Sequence, residues 1–164
     1  MKIGVISDTH LSTLTGDFIT LAKDRLAACD MVVHAGDFTS PEIYFFLKEL
    51  TSGNLIAVYG NMDPPEISSL LSEKVIFEAG GIKIGVMHGG GAPHDLEERV
   101  ARAFLDEGVG CIIYGHSHNG ANHTQNDILF FNPGSPTDRY HAPMNSIGFL
   151  TIEHGEIFGE IVPV

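Results

Sequence analysis

Five short clusters of Asp, Asn and His punctuate the sequence: Asp8-Thr9-His10, His34-Ala35-Gly36-Asp37, Gly60-Asn61-Met62-Asp63, His88-Gly89-Gly90-Gly91 and Gly115-His116-Ser117-His118. Asp8 and His10 are two apart, as are His116 and His118. Alternate residues of an extended backbone project to the same side, so each pair can aim two ligand atoms at one place. Glycines ahead of Asp37, Asn61 and His116 allow a sharp turn. No cysteine belongs to the set, which leaves imidazole nitrogens with amide and carboxylate oxygens. That donor mixture suits Mn²⁺, Fe or Zn²⁺ better than a thiophilic ion or Ca²⁺. Two carboxylates, four histidines and one asparagine exceed the needs of a single tetrahedral ion. Two divalent ions sharing a bridging carboxylate would use all of Asp8, His10, Asp37, Asn61, His88, His116 and His118.

Each cluster follows a short apolar run: Lys2–Ser7, Met31–His34, Leu55–Tyr59, Lys83–Met87 and Gly110–Tyr114. Rich in Val and Ile, these read as strands buried on both faces. Alternating with helical patterns, they read as βα units with parallel strands. Helical spacing marks Asp17–Cys29 through Phe18, Leu21, Ala22 and Leu26, and Asp95–Glu107 through Leu96, Val100, Ala103 and Phe104. Ser40-Pro41-Glu42 supplies an N-cap, a first-position proline and an early acid for a helix reaching Leu50. The C-terminal third looks antiparallel: Ala121–Gln125, Ile128–Phe131, Ser146–Glu153 and Glu156–Val162, with His154-Gly155 as a hairpin turn. Gly80-Gly81 would turn Val75–Ala79 into Ile82–Met87 in the same way. The expected architecture is one domain over 1–164, two mixed sheets packed face to face with helices outside. Ligands of open α/β sheets bind beyond the carboxyl ends of the strands, where the five clusters fall.

Across 164 residues, 9 Lys and Arg face 21 Asp and Glu, a formal net charge of −12. With no broad basic footprint, neither extended nucleic-acid binding nor attachment to an anionic membrane is expected. A hydrophobic content of 43% excludes a disordered chain. Cys29 and Cys111 sit among apolar neighbours and read as buried thiols, not as a disulfide. No apolar stretch reaches the ~18 residues of a membrane span, and the first residues reach Asp8 too soon for a signal peptide. A cytoplasmic protein is the expectation, with homo-oligomerisation left open.

The ordered set Asp8-x-His10, Gly36-Asp37, Gly60-Asn61, His88 and Gly115-His116-Ser117-His118 resembles the calcineurin-like metallophosphoesterase superfamily. Asn132-Pro133-Gly134-Ser135 and the short length resemble its small bacterial and archaeal phosphodiesterase branch, related to the retromer subunit of vacuolar sorting. The resemblance implies an α/β fold, a four-layer αββα sandwich of two mixed β-sheets flanked by helices. It implies one ion held by Asp8, His10, Asp37 and His118, and a second by Asp37, Asn61, His88 and His116, with Asp37 bridging. Mn²⁺ is the first expectation, with Fe, Zn²⁺ and Ni²⁺ as alternatives. The implied activity is hydrolysis of a small phosphorylated substrate, a diester more than a monoester, by in-line attack of a hydroxide bridging the ions. Two divalent ions over Asp8 and Asp37 leave a positive centre for a phosphate in an acidic protein.

One position departs from the superfamily. Many members follow the asparagine of the third motif with a histidine that protonates the leaving group; here Met62 stands there and cannot donate. Asn61 and Asp63 are the candidate catalytic residues of that motif. Asp63 has an alternative role in capping the turn before Pro64 and Pro65, which should stop regular structure. Gly89 and Gly90 are candidates to bind substrate through backbone N–H groups, or form a flexible lead into the next helix. His34 either orients Asp37 or is satisfied by backbone. Arg139 is a candidate phosphate contact or a structural ion-pair partner. His94, His123, His141 and His154 read as surface or loop residues. A second function class stands beside the enzyme: an interaction scaffold with a vestigial metal site, which the relation to the retromer subunit permits. The full set of ligand types favours the enzyme. A zinc amide hydrolase fits less well, since no His-Glu-x-x-His helix is present.

Overall fold

The computed structural model describes residues 1–138 and 140–164; Arg139, a candidate phosphate contact above, lies outside them. The elements run β1 (Lys2–Ile6), α1 (Gly16–Arg25), β2 (Met31–His34), α2 (Pro41–Leu50), β3 (Leu55–Ala57), α3 (Pro65–Ser68), β4 (Lys74–Ala79), β5 (Ile82–Met87), α4 (Leu96–Ala103), β6 (Cys111–Ile113), β7 (Ala121–Gln125), β8 (Ile128–Asn132), β9 (Ser146–Glu153) and β10 (Glu156–Pro163).

Two five-stranded sheets result. The first has the order β10-β9-β1-β2-β3, with β1, β2 and β3 parallel and β9 and β10 antiparallel beside β1. The second has the order β4-β5-β6-β8-β7; β5, β6 and β8 are parallel, and the edge strands β4 and β7 run against their neighbours. Side-chain alternation sets the stacking. Ile3 and Val5 of β1 join Val33, Ile84, Ile113 and Phe131 in a core between the sheets. Ile6 and Val32 face the other way, onto Phe18, Ala22, Ile43 and Leu47 of α1 and α2. Ile112 and Phe130 of the second sheet turn outward onto Leu96, Val100 and Phe104. The layers are therefore helices, sheet, sheet and helix, the αββα sandwich expected.

Local chemistry accounts for where the helices begin. Thr15 Oγ1 accepts from the Phe18 N–H and Ser40 Oγ from the Glu42 N–H, and Pro41 opens α2 where no intrahelical donor is needed. The ends fall short of the apolar pattern: α1 stops at Arg25 and α4 at Ala103. Leu26 and Phe104 remain buried, but in the turns that follow. The Pro64-Pro65 pair corrects an expectation. Instead of stopping structure it starts α3, with Pro65 at the first helical position. The β4–β5 turn has Gly80 and Gly81 at φ 56° and 82°, the left-handed pair that matches strand twist in a two-residue hairpin. Among the described residues no helix is long and apolar enough to cross a membrane.

Candidate metal centre

The loops leaving β1, β2, β3, β5 and β6 carry the five clusters, and parallel strands bring those loops to common edges. Within them Asp8, His10, Asp37, His116 and His118 all have positive φ, between 44° and 68°. The two-apart pairs thus work by left-handed turns and not through extended backbone as their spacing suggested. A left-handed non-glycine residue costs about 1 kcal/mol. Five of them at one site mark strain that the surrounding packing holds in place.

Glycines make room for this. A Cβ on Gly36 would lie 2.7 Å from His88 Nδ1, one on Gly60 2.2 Å from Asp37 Oδ1, and one on Gly115 2.7 Å from Asp8 Oδ2. Only Gly36 of the three has positive φ, so at Gly60 and Gly115 the requirement is close approach of a carboxylate, not a turn.

Asp8 and Asp37 stand at the middle. Asp8 Oδ1 lies 3.3 Å from His118 Nε2 and 3.7 Å from both His10 Nε2 and His88 Nε2. Asp37 Oδ2 lies 3.2 Å from His88 Nε2 and 3.4 Å from His10 Nε2. The other oxygens are spent on backbone: Asp8 Oδ2 accepts from the His116 N–H, and Asp37 Oδ1 from the Met62 N–H. Two triads of potential donors follow, Asp8 with His10 and His118, and Asp8 with Asp37 and His88.

The imidazoles are turned so that lone pairs face these carboxylates. His88 Nδ1 donates to the Ala35 carbonyl at 2.7 Å, and His118 Nδ1 donates to the Asp138 carboxylate. In each ring Nε2 is left to point inward. Among the described residues Asp8 Oδ1, His88 Nε2 and Ser7 Oγ are buried with no hydrogen-bond partner, and His10 Nε2 sits 3.1 Å from His118 Nε2. Buried acceptors facing one another are costly unless positive charge lies between them. Titration agrees. Burial works to raise the Asp8 carboxyl, yet His10, His118 and His88 hold it well below the usual carboxylate range. Asp8, against burial and together with Asp138, draws His118 up to about 9. Burial would lower His88, but Asp37 and Asp8 raise it. A divalent ion meets the same demand without a proton, and the donor set fits one.

His116 and Asn61 stand nearer the surface. His116 Nε2 donates to the Gly91 carbonyl at 2.9 Å, which leaves Nδ1 2.9 Å from Asn61 Oδ1. An opening of about 340 Å³ gathers His10, Asp37, Asn61, His116 and His118, with Met62 and His141 at its rim. His88, 2% exposed, lies beneath. The structure thus brings all seven candidate ligands to one place.

Supporting residues explain the remaining motifs. Asp63 accepts from three backbone N–H groups, those of Gly60, Asp37 and Thr39, at 2.8 to 3.0 Å. It ties the second and third loops together, an acceptor's position, while burial pushes its carboxyl above the ordinary value. His34 is fully buried: Nδ1 accepts from the Gly36 N–H and Nε2 faces Thr9 Oγ1 at 3.3 Å. It is satisfied locally, and through the Gly36 N–H it braces the loop that carries Asp37. Burial drives it down to about 3, so the ring stays neutral. The Asn132–Ser135 turn links loops: Asn132 Nδ2 donates to the Gly115 carbonyl, and Ser135 Oγ to that of Asp8. The carbonyl of Gly90 accepts from Arg99, and Gly89 packs under Leu96, where a Cβ would come within 2.6 Å.

Two residues of the site were missed in the sequence reading. Asp138, its side chain 6% exposed, binds His118 and accepts from the backbone N–H groups of Tyr140, His141 and Ala142. His141 is exposed as expected, but it stands at the rim of the metal-facing opening, its ring 6.0 Å from that of His118. The parallel pairing of β6 with β8 brings Asp138 to His118, because loops after neighbouring parallel strands lie side by side; Ile128–Phe131, expected to be antiparallel, runs so only against β7.

Comparison with known proteins agrees with this geometry. Residues 1–155 match the calcineurin-like phosphoesterase superfamily domain, and the chain belongs to that family. A probable metallophosphoesterase of Methanocaldococcus jannaschii is 37% identical across 100% of this chain and 82% of its own. A phosphodiesterase of the same organism is 30% identical over 99% of each. Among solved structures, wild-type Vps29 of Entamoeba histolytica complexed with zinc is 26% identical, covers 99% of both chains and superposes with a TM-score of 0.76.

Proposed function

We propose that the protein is a phosphodiesterase using two divalent ions, with Mn²⁺ foremost and Fe, Zn²⁺ or Ni²⁺ as alternatives. The observation that carries this reading is the pair of orphaned buried atoms, Asp8 Oδ1 and His88 Nε2, inside a ring of inward-facing imidazole nitrogens. Asp8, His10, Asp37 and His118 would hold one ion, and Asp37, Asn61, His88 and His116 the other. Ions so held would polarise phosphoryl oxygens and activate water for attack on phosphorus. The chain's own part is placement. Asp138 and the Ala35 carbonyl fix the imidazole tautomers, and Asp63 fixes the Asp37 and Asn61 loops against one another. Met62, where it stands beside Asn61, supplies no proton. Substrates with good leaving groups are therefore favoured. The phosphodiesterase relative, alike over 99% of both chains, supports diester over monoester.

Likeness to Vps29 over the full chain supports a second reading, a protein-interaction scaffold that retains a metal site. Turnover separates the two. With added Mn²⁺ the protein should hydrolyse bis(p-nitrophenyl) phosphate faster than p-nitrophenyl phosphate, and Asp37→Ala should abolish both activities. Metal-loaded protein that turns over neither ester would leave the scaffold.

A further inference from the structure

A second hollow, of about 620 Å³, opens between the β1–α1 loop with α1 on one side and the segment after Asn132 on the other. His10 and Asp138 line both this hollow and the metal-facing opening, so the two adjoin at these side chains. Beyond them the walls are largely apolar: Leu11, Phe18 and Leu21 on one side, Pro136 and Tyr140 on the other. Phe18 is 2% exposed and anchored in the core, a rigid floor. Tyr140 is the contrast, an aromatic ring left 89% exposed. Its backbone is nonetheless pinned: the Tyr140 N–H donates to Asp138 Oδ1 at 2.8 Å, and Asp138 also holds His118. The ring is thus carried on a support tied to a candidate metal ligand.

We propose that this hollow receives one ester arm of a phosphodiester whose phosphoryl group lies over the metal centre, and that the arm is an uncharged aromatic or heteroaromatic group. The proposal rests on the phosphoesterase reading above and adds a substrate class to it. A planar ring entering past His10 can lie along Leu11 and Leu21 and offer a face to Tyr140, taking apolar surface on both partners out of water. Thr15 and Asn145 place hydrogen-bonding groups along the same walls for ring or sugar substituents. The carboxylate of Asp17 stands in the hollow as well, and it disfavours an arm bearing a second phosphate.

Phenylphosphonate and methylphosphonate carry the same anionic head and one arm each, and neither is hydrolysed at its P–C bond by attack of this kind. Calorimetry on the Mn²⁺-loaded full chain should show phenylphosphonate binding about tenfold more tightly, the scale of one aromatic contact with its buried area. Tyr140→Ala and Leu21→Ser should each cut that preference to about twofold, an expected loss of the same contact. Methylphosphonate affinity should stay unchanged in both, which also shows that the variants fold. Equal affinities in the unaltered protein, or a preference that survives both substitutions, would overturn the aromatic-arm assignment while leaving phosphonate binding at the metals intact. Failure of either phosphonate to bind the loaded protein would instead strike the phosphoesterase reading, and this proposal with it.

Discussion

His118 owes its tautomer to a carboxylate twenty residues on in sequence, Asp138. Such a carboxylate raises ligand basicity and fixes the ring, and removing one typically costs 10–100-fold in metal affinity. Asp138→Asn should therefore weaken Mn²⁺ binding by about tenfold or more in calorimetric titration, with the circular dichroism spectrum unchanged. Another residue-scale prediction concerns His34, which burial lowers from 6.5 to about 3. Between those values the unfolded chain binds a proton that the folded chain refuses. Its contribution to stability is complete above pH 6.5 and is lost as pH falls toward 3, with a slope of up to ~1.4 kcal/mol per pH unit. Urea unfolding across this range should show a shallower slope in His34→Gln than in the parent protein. The candidate ligands were legible in the sequence because residue type and position after an apolar run sufficed. Asp138 was not, because Thr137-Asp138 carries no spacing relation to His118; only the pairing of β6 with β8 brings them together.

At the scale of elements, strands were easier to read than helix ends. β1, β2 and β6 are short, apolar and buried on both faces, a composition that admits few other interpretations. Helix ends depend on capping and on what lies beyond the last turn. Leu26 and Phe104 continue the apolar spacing of α1 and α4 while already in turns, because burial of a side chain does not require helical backbone. The prolines that open α3 show the same ambiguity, since a residue that breaks a helix internally can begin one. The loops carry the tightest constraint. A Cβ at Gly115 would lie 2.0 Å from Ser7 Oγ and 2.7 Å from Asp8 Oδ2. Gly115→Ala should displace Asp8 and abolish Mn²⁺ binding, whereas Gly16→Ala, where a Cβ meets nothing and φ is not positive, should bind the ion normally. Gel-filtered samples assayed for bound metal would distinguish these outcomes.

The whole molecule reconciles an acidic chain with a phosphate-binding centre. The net charge of −12 describes the surface at large, while the proposed site gathers Asp8 and Asp37 under four histidines and an asparagine. Ions that bind the folded site and not the unfolded chain should stabilise the entire sandwich. Mn²⁺ at about a hundred times its Kd should add about 2.7 kcal/mol. For a chain of this size that corresponds to a rise in Tm of roughly 5–10 °C, reversed by EDTA and absent in Asp37→Ala. Both sheets contribute to the effect. Asp8 and Asp37 follow strands of the first, while His88, His116 and His118 follow strands of the second. Ions held by these residues would therefore clasp the two halves across the core.

The most direct test of the two-metal centre is the number of ions bound per chain at saturation, measured by elemental analysis after Mn²⁺ loading and removal of free metal. Two per chain are expected, both lost in Asp37→Ala because that carboxylate faces both sets of imidazoles. A single ion at saturation, or two that persist without Asp37, would contradict the two-metal centre.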